Sequence, residues 1–123
     1  MEALVVDDSK MMRFVLGKAL KEVGFTVVHE AGHGKEALAV LARIPCPGLA
    51  LVDWNMPEMN GLEFVKAVRS DLAYRAMRIL MVTTEGSTDH RADAEAAGAD
   101  GYQSKPFTAD AIRASLAALG LRV

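Results

Sequence analysis

Five short apolar runs, each followed by a stretch with helical spacing, limit what this chain can fold into more than any other feature. The runs lie at residues 3–6, 27–28, 49–52 and 79–82, with a weaker one around 101–104. Runs this short suit strands better than helices. After the first, Met12, Val15, Leu16, Ala19 and Val23 fall on one helical face, with Ser9 placed to cap the start and Gly24 to end it. A second helix is predicted over 35–42. A third follows Asn60, whose partner Glu63 completes a capping box, with Leu62, Val65 and Val68 facing inward. Thr108 caps a last helix that buries Ile112, Leu116 and Leu119 and runs almost to Val123. The stretch 85–97 is the weakest helix. Gly86, Ser87, Thr88 and Asp89 are poor helix formers, and Ala92, Ala94, Ala96 and Ala97 bury little area, so it is either mobile or begins late, at Thr88.

Strands that alternate with helices form a parallel sheet covered on both faces. The runs around Val5, Leu51 and Met81 are almost wholly apolar, as central strands should be, whereas 26–30 and 102–104 mix in polar residues and read as edges. The expected fold is therefore α/β, a doubly wound five-stranded parallel sheet in the order 2-1-3-4-5, flanked by five helices, of the flavodoxin-like type. Ligands in such sheets bind beyond the carboxyl ends of the strands, at the switch point.

A chain of 123 residues is one domain's worth, so residues 1–123 are read as a single unit. Its 51% apolar and 24% charged residues exclude a disordered or fibrous chain. The formal charge of −2 offers no footprint for nucleic acid or for an anionic membrane. The opening apolar run is cut short by Asp7 and Asp8, which leaves neither a signal peptide nor a membrane-inserted helix. Cys46, the only cysteine, sits between Pro45 and Pro47 without a disulfide partner. A reducing cytoplasm is the expected location, and no function is assigned to that thiol. His29, His33 and His90 are scattered among polar neighbours and are not read as ligands or catalysts.

The chemistry gathers at the strand ends. The first strand ends in Asp7 and Asp8 and the third in Asp53, and in a parallel sheet these ends share one rim. Three carboxylates so close oppose one another's ionisation unless a cation joins them. Oxygen donors without His or Cys favour Mg²⁺, for which Mn²⁺ could substitute. The fourth strand ends with the hydroxyl of Thr83, and the fifth is followed by the ammonium of Lys105. Carboxylates, a metal, a hydroxyl donor and a cation are the parts phosphoryl transfer uses, with Asp53 as the carboxylate nucleophile.

At that point a resemblance becomes specific. Val6-Asp7-Asp8-Ser9, then Asp53-Trp54-Asn55-Met56-Pro57 with Gly61, then Val82-Thr83-Thr84-Glu85, then Gly101-Tyr102 with Lys105-Pro106-Phe107 are similar to the response-regulator receiver family over essentially the whole chain. The likeness is greatest to the single-domain chemotaxis (CheY-like) regulators, through Trp54 and Asn55. It implies Asp53 as phosphoacceptor, with Asp8, Asp53 and the Asn55 backbone carbonyl as Mg²⁺ ligands and Asp7 acting through a metal-bound water. Lys105 and Thr83 would bind the phosphoryl group, with a cis bond before Pro106. Tyr102 would turn inward as a switch residue, coupling the site to the face built from the fourth helix, fifth strand and fifth helix. Asn55 and Glu85 would govern access of the hydrolytic water. Thr84 stands where the family more often has a smaller residue, which implies restricted access to Asp53 and slow turnover.

The implied partners are a histidine kinase or phosphotransfer protein as donor, a downstream target in trans, and a phosphatase. The protein is expected to be a monomer when unphosphorylated, and not an enzyme beyond assisting its own phosphorylation and dephosphorylation. Two alternatives stay open within this reading: a receiver domain excised from a longer regulator, and a Mg²⁺-dependent phosphohydrolase of the haloacid dehalogenase type. The latter needs an Asp-x-Asp motif after the first strand, where this chain has an adjacent pair. An FMN carrier would need a Ser/Thr/Gly-rich phosphate cradle in the same loop, which is absent.

Overall fold

The structure, a computed structural model, describes residues 1–54, 56, 58–83, 88–104 and 108–121, with the side chains at 83, 88–90 and 104 set aside. Five strands form one sheet: β1 (Glu2–Val6), β2 (Val27–Ala31), β3 (Leu49–Asp53), β4 (Arg78–Thr83) and β5 (Gly101–Ser104). Their order is β2-β1-β3-β4-β5 and every pairing is parallel. The helices of the described residues are α1 (Lys10–Val23), α2 (Gly34–Leu41), α3 (Gly61–Arg69), α4 (Thr88–Ala97) and α5 (Ala109–Ala118), with a 3₁₀ turn at Leu72–Tyr74.

The three central strands alternate between two cores, because successive residues of a strand point to opposite faces. Ala3, Val5, Leu49, Leu51, Leu80 and Val82 face α1 and α5 and pack with Leu16, Leu20, Ile112 and Leu116. Leu4, Val6, Ala50, Val52, Ile79 and Met81 face the other way and pack with Phe64, Val65 and Val68 of α3 and Ala37 and Leu41 of α2. Burial on both faces explains why these runs contain no polar break.

Local signals set most boundaries. Ser9 Oγ accepts the Met12 N–H at 3.2 Å, and Gly24, at φ 129°, closes α1. Asn60 and Glu63 form the reciprocal capping box, at 2.9 and 3.1 Å. Thr108 Oγ1 accepts the Ala111 N–H at 3.1 Å. Of the fourth helix the described residues cover Thr88–Ala97, so its start within 85–88 lies outside them, and Ala94 is completely buried.

Other expectations are corrected. In α1 the buried stripe centres on Leu16 and Leu20, so Leu20 is fully enclosed while Val15, expected in the core, is 43% exposed. In α3, Phe64, not singled out by the spacing, is fully buried, while Leu62 faces inward as expected and is half-buried against the same core. The second helix starts one residue early, at Gly34, because His33 Nδ1 accepts the Glu36 N–H at 3.2 Å and serves as the cap. The last helix stops at Ala118 instead of running almost to Val123. Gly120 takes φ 76° there, and the Leu121 N–H turns back to the Leu116 carbonyl at 2.9 Å. No helix of the described residues is long and apolar enough to cross a membrane.

Candidate functional site

The strand register brings the acidic residues together. Val6 pairs with Val52, so Asp7 and Asp8 emerge beside Asp53 at the same rim. One carboxylate oxygen from each of Asp7, Asp8 and Asp53 lies within 4.8 Å of the other two. Asp7 is buried, Asp53 half-buried and Asp8 exposed, a gradient from the sheet out to solvent.

Each acid is held by its neighbourhood. The Asp7 N–H donates to the Ala31 carbonyl at 3.1 Å, continuing the β1–β2 ladder past its end. Asp7 Oδ1 accepts the Ser9 N–H at 2.8 Å, which shapes the turn into α1. Arg13, one helical turn further on, donates from Nη1 to the Asp7 carbonyl oxygen at 2.6 Å. Burial pushes the Asp7 carboxyl above its ordinary range; the Ser9 N–H opposes this and the neighbouring Asp8 charge adds to it.

The turn after Asp53 is clamped from two sides. The Gly61 N–H donates to the Trp54 carbonyl at 3.0 Å, and a Cβ at Gly61 would collide with the Asp53 carbonyl oxygen and lie 2.8 Å from Met81 Cε. Only glycine lets α3 begin this close to the acceptor strand. Glu58, at φ 64°, directs its carboxylate to His33 Nε2 at 3.2 Å, while Met59 packs where a Cβ on Gly34 would fall. The turn is thus tied to the start of α2. Trp54, 9% exposed, covers the rim of the core beside Asp53.

The remaining expected site residues are placed less fully. Thr83 ends β4 and pairs in register with Ser104, while Asp53 pairs with Val82, so the Thr83 backbone lies at the same rim. Tyr102 sits in β5 opposite Met81, half-buried against the α3 side core, with the Arg91 guanidinium 5.9 Å from its ring centre. Asn55, Thr84, Glu85, Lys105 and the Lys105–Pro106 bond lie outside the described residues. Gln103, polar on an edge strand, has a specific partner, since Ser115 Oγ of α5 donates to its Oε1 at 2.7 Å. The Cys46 thiol is pushed up by burial, away from a reactive thiolate.

Arg13 is a residue that sequence reasoning misses. It lies outside the motifs quoted above, and its sequence signal is a cation one turn inside the helix that follows the acidic pair.

The donor set fits a hard divalent cation. Octahedral Mg²⁺ with bonds of about 2.0–2.1 Å spans about 4 Å between opposite ligands. Three carboxylate oxygens within 4.8 Å of one another are close enough to share one such ion and its bound waters.

Comparison with known proteins agrees with this geometry. The family model described as "Response regulator receiver domain" matches residues 3–117. The chain is 45% identical over 116 residues to a chemotaxis protein CheY homolog of Campylobacter jejuni, covering 94% of this chain and 89% of that one. It is 43% identical to the chemotaxis protein CheY1 of Helicobacter pylori, covering 94% of both. Among solved structures, the chemotaxis response regulator CheY4 of Vibrio cholerae superposes with a TM-score of 0.86 at 37% identity, over 96% of this chain and 97% of that one. The chain belongs to the response regulator receiver domain family.

Proposed function

We propose that this protein is a phosphoacceptor signalling switch of a two-component system, with Asp53 as the residue that takes the phosphoryl group. The convergence of Asp7, Asp8 and Asp53 at the carboxyl rim, in a chain of this family, carries the reading. Asp8, Asp53 and the Asn55 carbonyl would hold Mg²⁺ directly, with Asp7 reaching it through water; Mn²⁺ has the same donor preference. When bound, the ion neutralises charge on the phosphoryl oxygens and on the acids themselves.

The chain's own groups do the rest. A carboxylate oxygen of Asp53 attacks phosphorus in line as the phosphorus–nitrogen bond of a partner's phosphohistidine breaks. The imidazole nitrogen keeps the bonding pair and takes up a proton, and Asp53 becomes an acyl phosphate. Thr83 and Lys105 receive the phosphoryl oxygens. Tyr102, which already packs against the core, turns further inward and alters the face made by α4, β5 and α5. Asn55 and Glu85 set how readily water reaches the acyl phosphate. The donor is a histidine kinase or phosphotransfer protein, the output is a target in trans, and a phosphatase ends the signal. The chemotaxis relatives support a role in motility. Residues 1–123 act as one domain, monomeric before phosphorylation, in the cytoplasm.

Trp54 provides the test, because it is the only tryptophan and adjoins Asp53. Mg²⁺ and then beryllofluoride are expected to change its fluorescence in sequence. Acetyl phosphate should add one labile phosphoryl group by mass, which is lost in Asp53→Asn. Multiple turnover of phosphomonoesters would instead establish a hydrolase and overturn the reading.

A further inference from the structure

Arg13 lies outside every motif of the family resemblance, yet it contacts the main chain of the acidic pair. Its Nη1 donates to the Asp7 carbonyl oxygen at 2.6 Å, the short distance of a charge-assisted bond. Its Nε donates to Glu30 Oε1 at 3.1 Å. The Arg13 side chain is 18% exposed and Glu30 is 50% exposed, so the guanidinium is sheltered while its anchor faces water. The Asp7 N–H is already fixed to the Ala31 carbonyl at 3.1 Å. Both main-chain polar groups of Asp7 are therefore held, the N–H by β2 and the carbonyl by α1. The peptide that links Asp7 to Asp8 begins at that carbonyl, so its orientation sets where both carboxylates point.

We propose that Arg13 is a positioning residue for divalent metal binding, holding the turn from β1 to α1 in the shape that aims Asp7 and Asp8 at the Asp53 side of the rim. The inference rests on the metal-dependent phosphoacceptor reading above. Electrostatics alone makes the contrary claim: a cation close to an acidic cluster repels Mg²⁺, so removing it should tighten binding. Positioning makes removal weaken binding. The sign of the change therefore separates the two.

The experiment is a Mg²⁺ titration followed by Trp54 fluorescence, on wild type, Arg13→Met, Arg13→Lys and Glu30→Gln, with urea midpoints measured in parallel. Arg13→Met is expected to weaken Mg²⁺ binding by about tenfold, the lower end for loss of a group that orients metal ligands. Arg13→Lys keeps the charge and one donor, and should recover part of the loss. Glu30→Gln, which loosens the anchor only, should cost less than either. At saturating Mg²⁺ the rate of phosphorylation by acetyl phosphate should return towards wild type in Arg13→Met, which a general loss of folding would not allow. If Arg13→Met does not fold, Arg13→Lys decides the question: wild-type affinity overturns the proposal and weaker affinity upholds it. Unchanged or tighter binding in a folded Arg13→Met overturns the inference alone. A wild-type protein without any Mg²⁺ response removes the functional reading, and this inference with it.

Discussion

The two rims of the sheet handle charge in opposite ways. At the amino rim, Arg69 at the end of α3 donates from Nε to the Gly98 carbonyl at 2.9 Å, from Nη1 to the Tyr74 carbonyl at 3.0 Å and from Nη2 to the Met77 carbonyl at 2.8 Å. Its Nη2 also meets Asp100 Oδ2 at 2.7 Å, and that oxygen accepts the Ile79 N–H at 2.8 Å. One cation thereby satisfies the carbonyls that precede β4 and β5, and one anion balances it. At the carboxyl rim, three acids of like charge converge and burial raises the pKa of one of them. The first rim is complete within the protein and holds the fold together. The second gathers groups of one sign, the arrangement that the proposed function would use to hold a hard cation.

The largest effect that would break this contrast is expected at the amino rim. Arg69→Ala removes the guanidinium from three carbonyls and a carboxylate, of which the Tyr74 carbonyl keeps the Met77 N–H and Asp100 Oδ2 keeps the Ile79 N–H, and should cost on the order of 3 kcal/mol in urea unfolding. Mg²⁺ affinity of the folded fraction should not move, since the sites are at opposite ends of the strands. A loss of metal binding in that variant would show that the two rims are coupled.

A matched pair of glycines sharpens the comparison. Gly61→Ala drives a methyl into the Asp53 carbonyl, and Gly98→Ala, at φ 114°, puts one 2.7 Å from Arg69 Cγ. Each should lose about 1–3 kcal/mol of stability. Only Gly61→Ala should also weaken the Mg²⁺ response of Trp54. Equal metal affinity in both variants would mean that the approach of α3 to Asp53 does not shape the site.

The smallest effect concerns pH. Because burial raises the Asp7 pKa above its unfolded value, the native state holds that proton more tightly. In metal-free protein this contribution favours folding at low pH and is lost as pH rises from the unfolded value through the folded one. Asp7→Asn should therefore flatten the pH dependence of the urea midpoint in that window and raise the midpoint at neutral pH, with chelator present. A lower midpoint would show that ionised Asp7 stabilises the fold.

Much of this architecture is legible in the sequence, for local reasons. Ser9, Asn60 with Glu63, and Thr108 cap helices through contacts three residues away, so spacing alone exposes them. The strand-end acids are legible because a parallel sheet brings its carboxyl ends to one rim whatever the loops do. Expectation and structure part where partners are remote. Val15 and Leu20 are both apolar, and only the packing of α1 against the sheet and its neighbour α5 decides which is buried. His33 carries no clear local signal, because its roles depend on Glu36 nearby and on Glu58 across the site.

By itself, then, the sequence determined the alternation of strands and helices, the caps of α1, α3 and α5, the order of the sheet and the set of acids at its edge, all of which follow from short-range periodicity and the rules of parallel sheets. Tertiary structure alone decided the burial of Asp7, the grip of Arg13 on its carbonyl and the clamp of Arg69 on Asp100. Arg69 and Asp100 are 31 residues apart in sequence, and no local spacing encodes a contact that exists only once α3, β4 and β5 have packed.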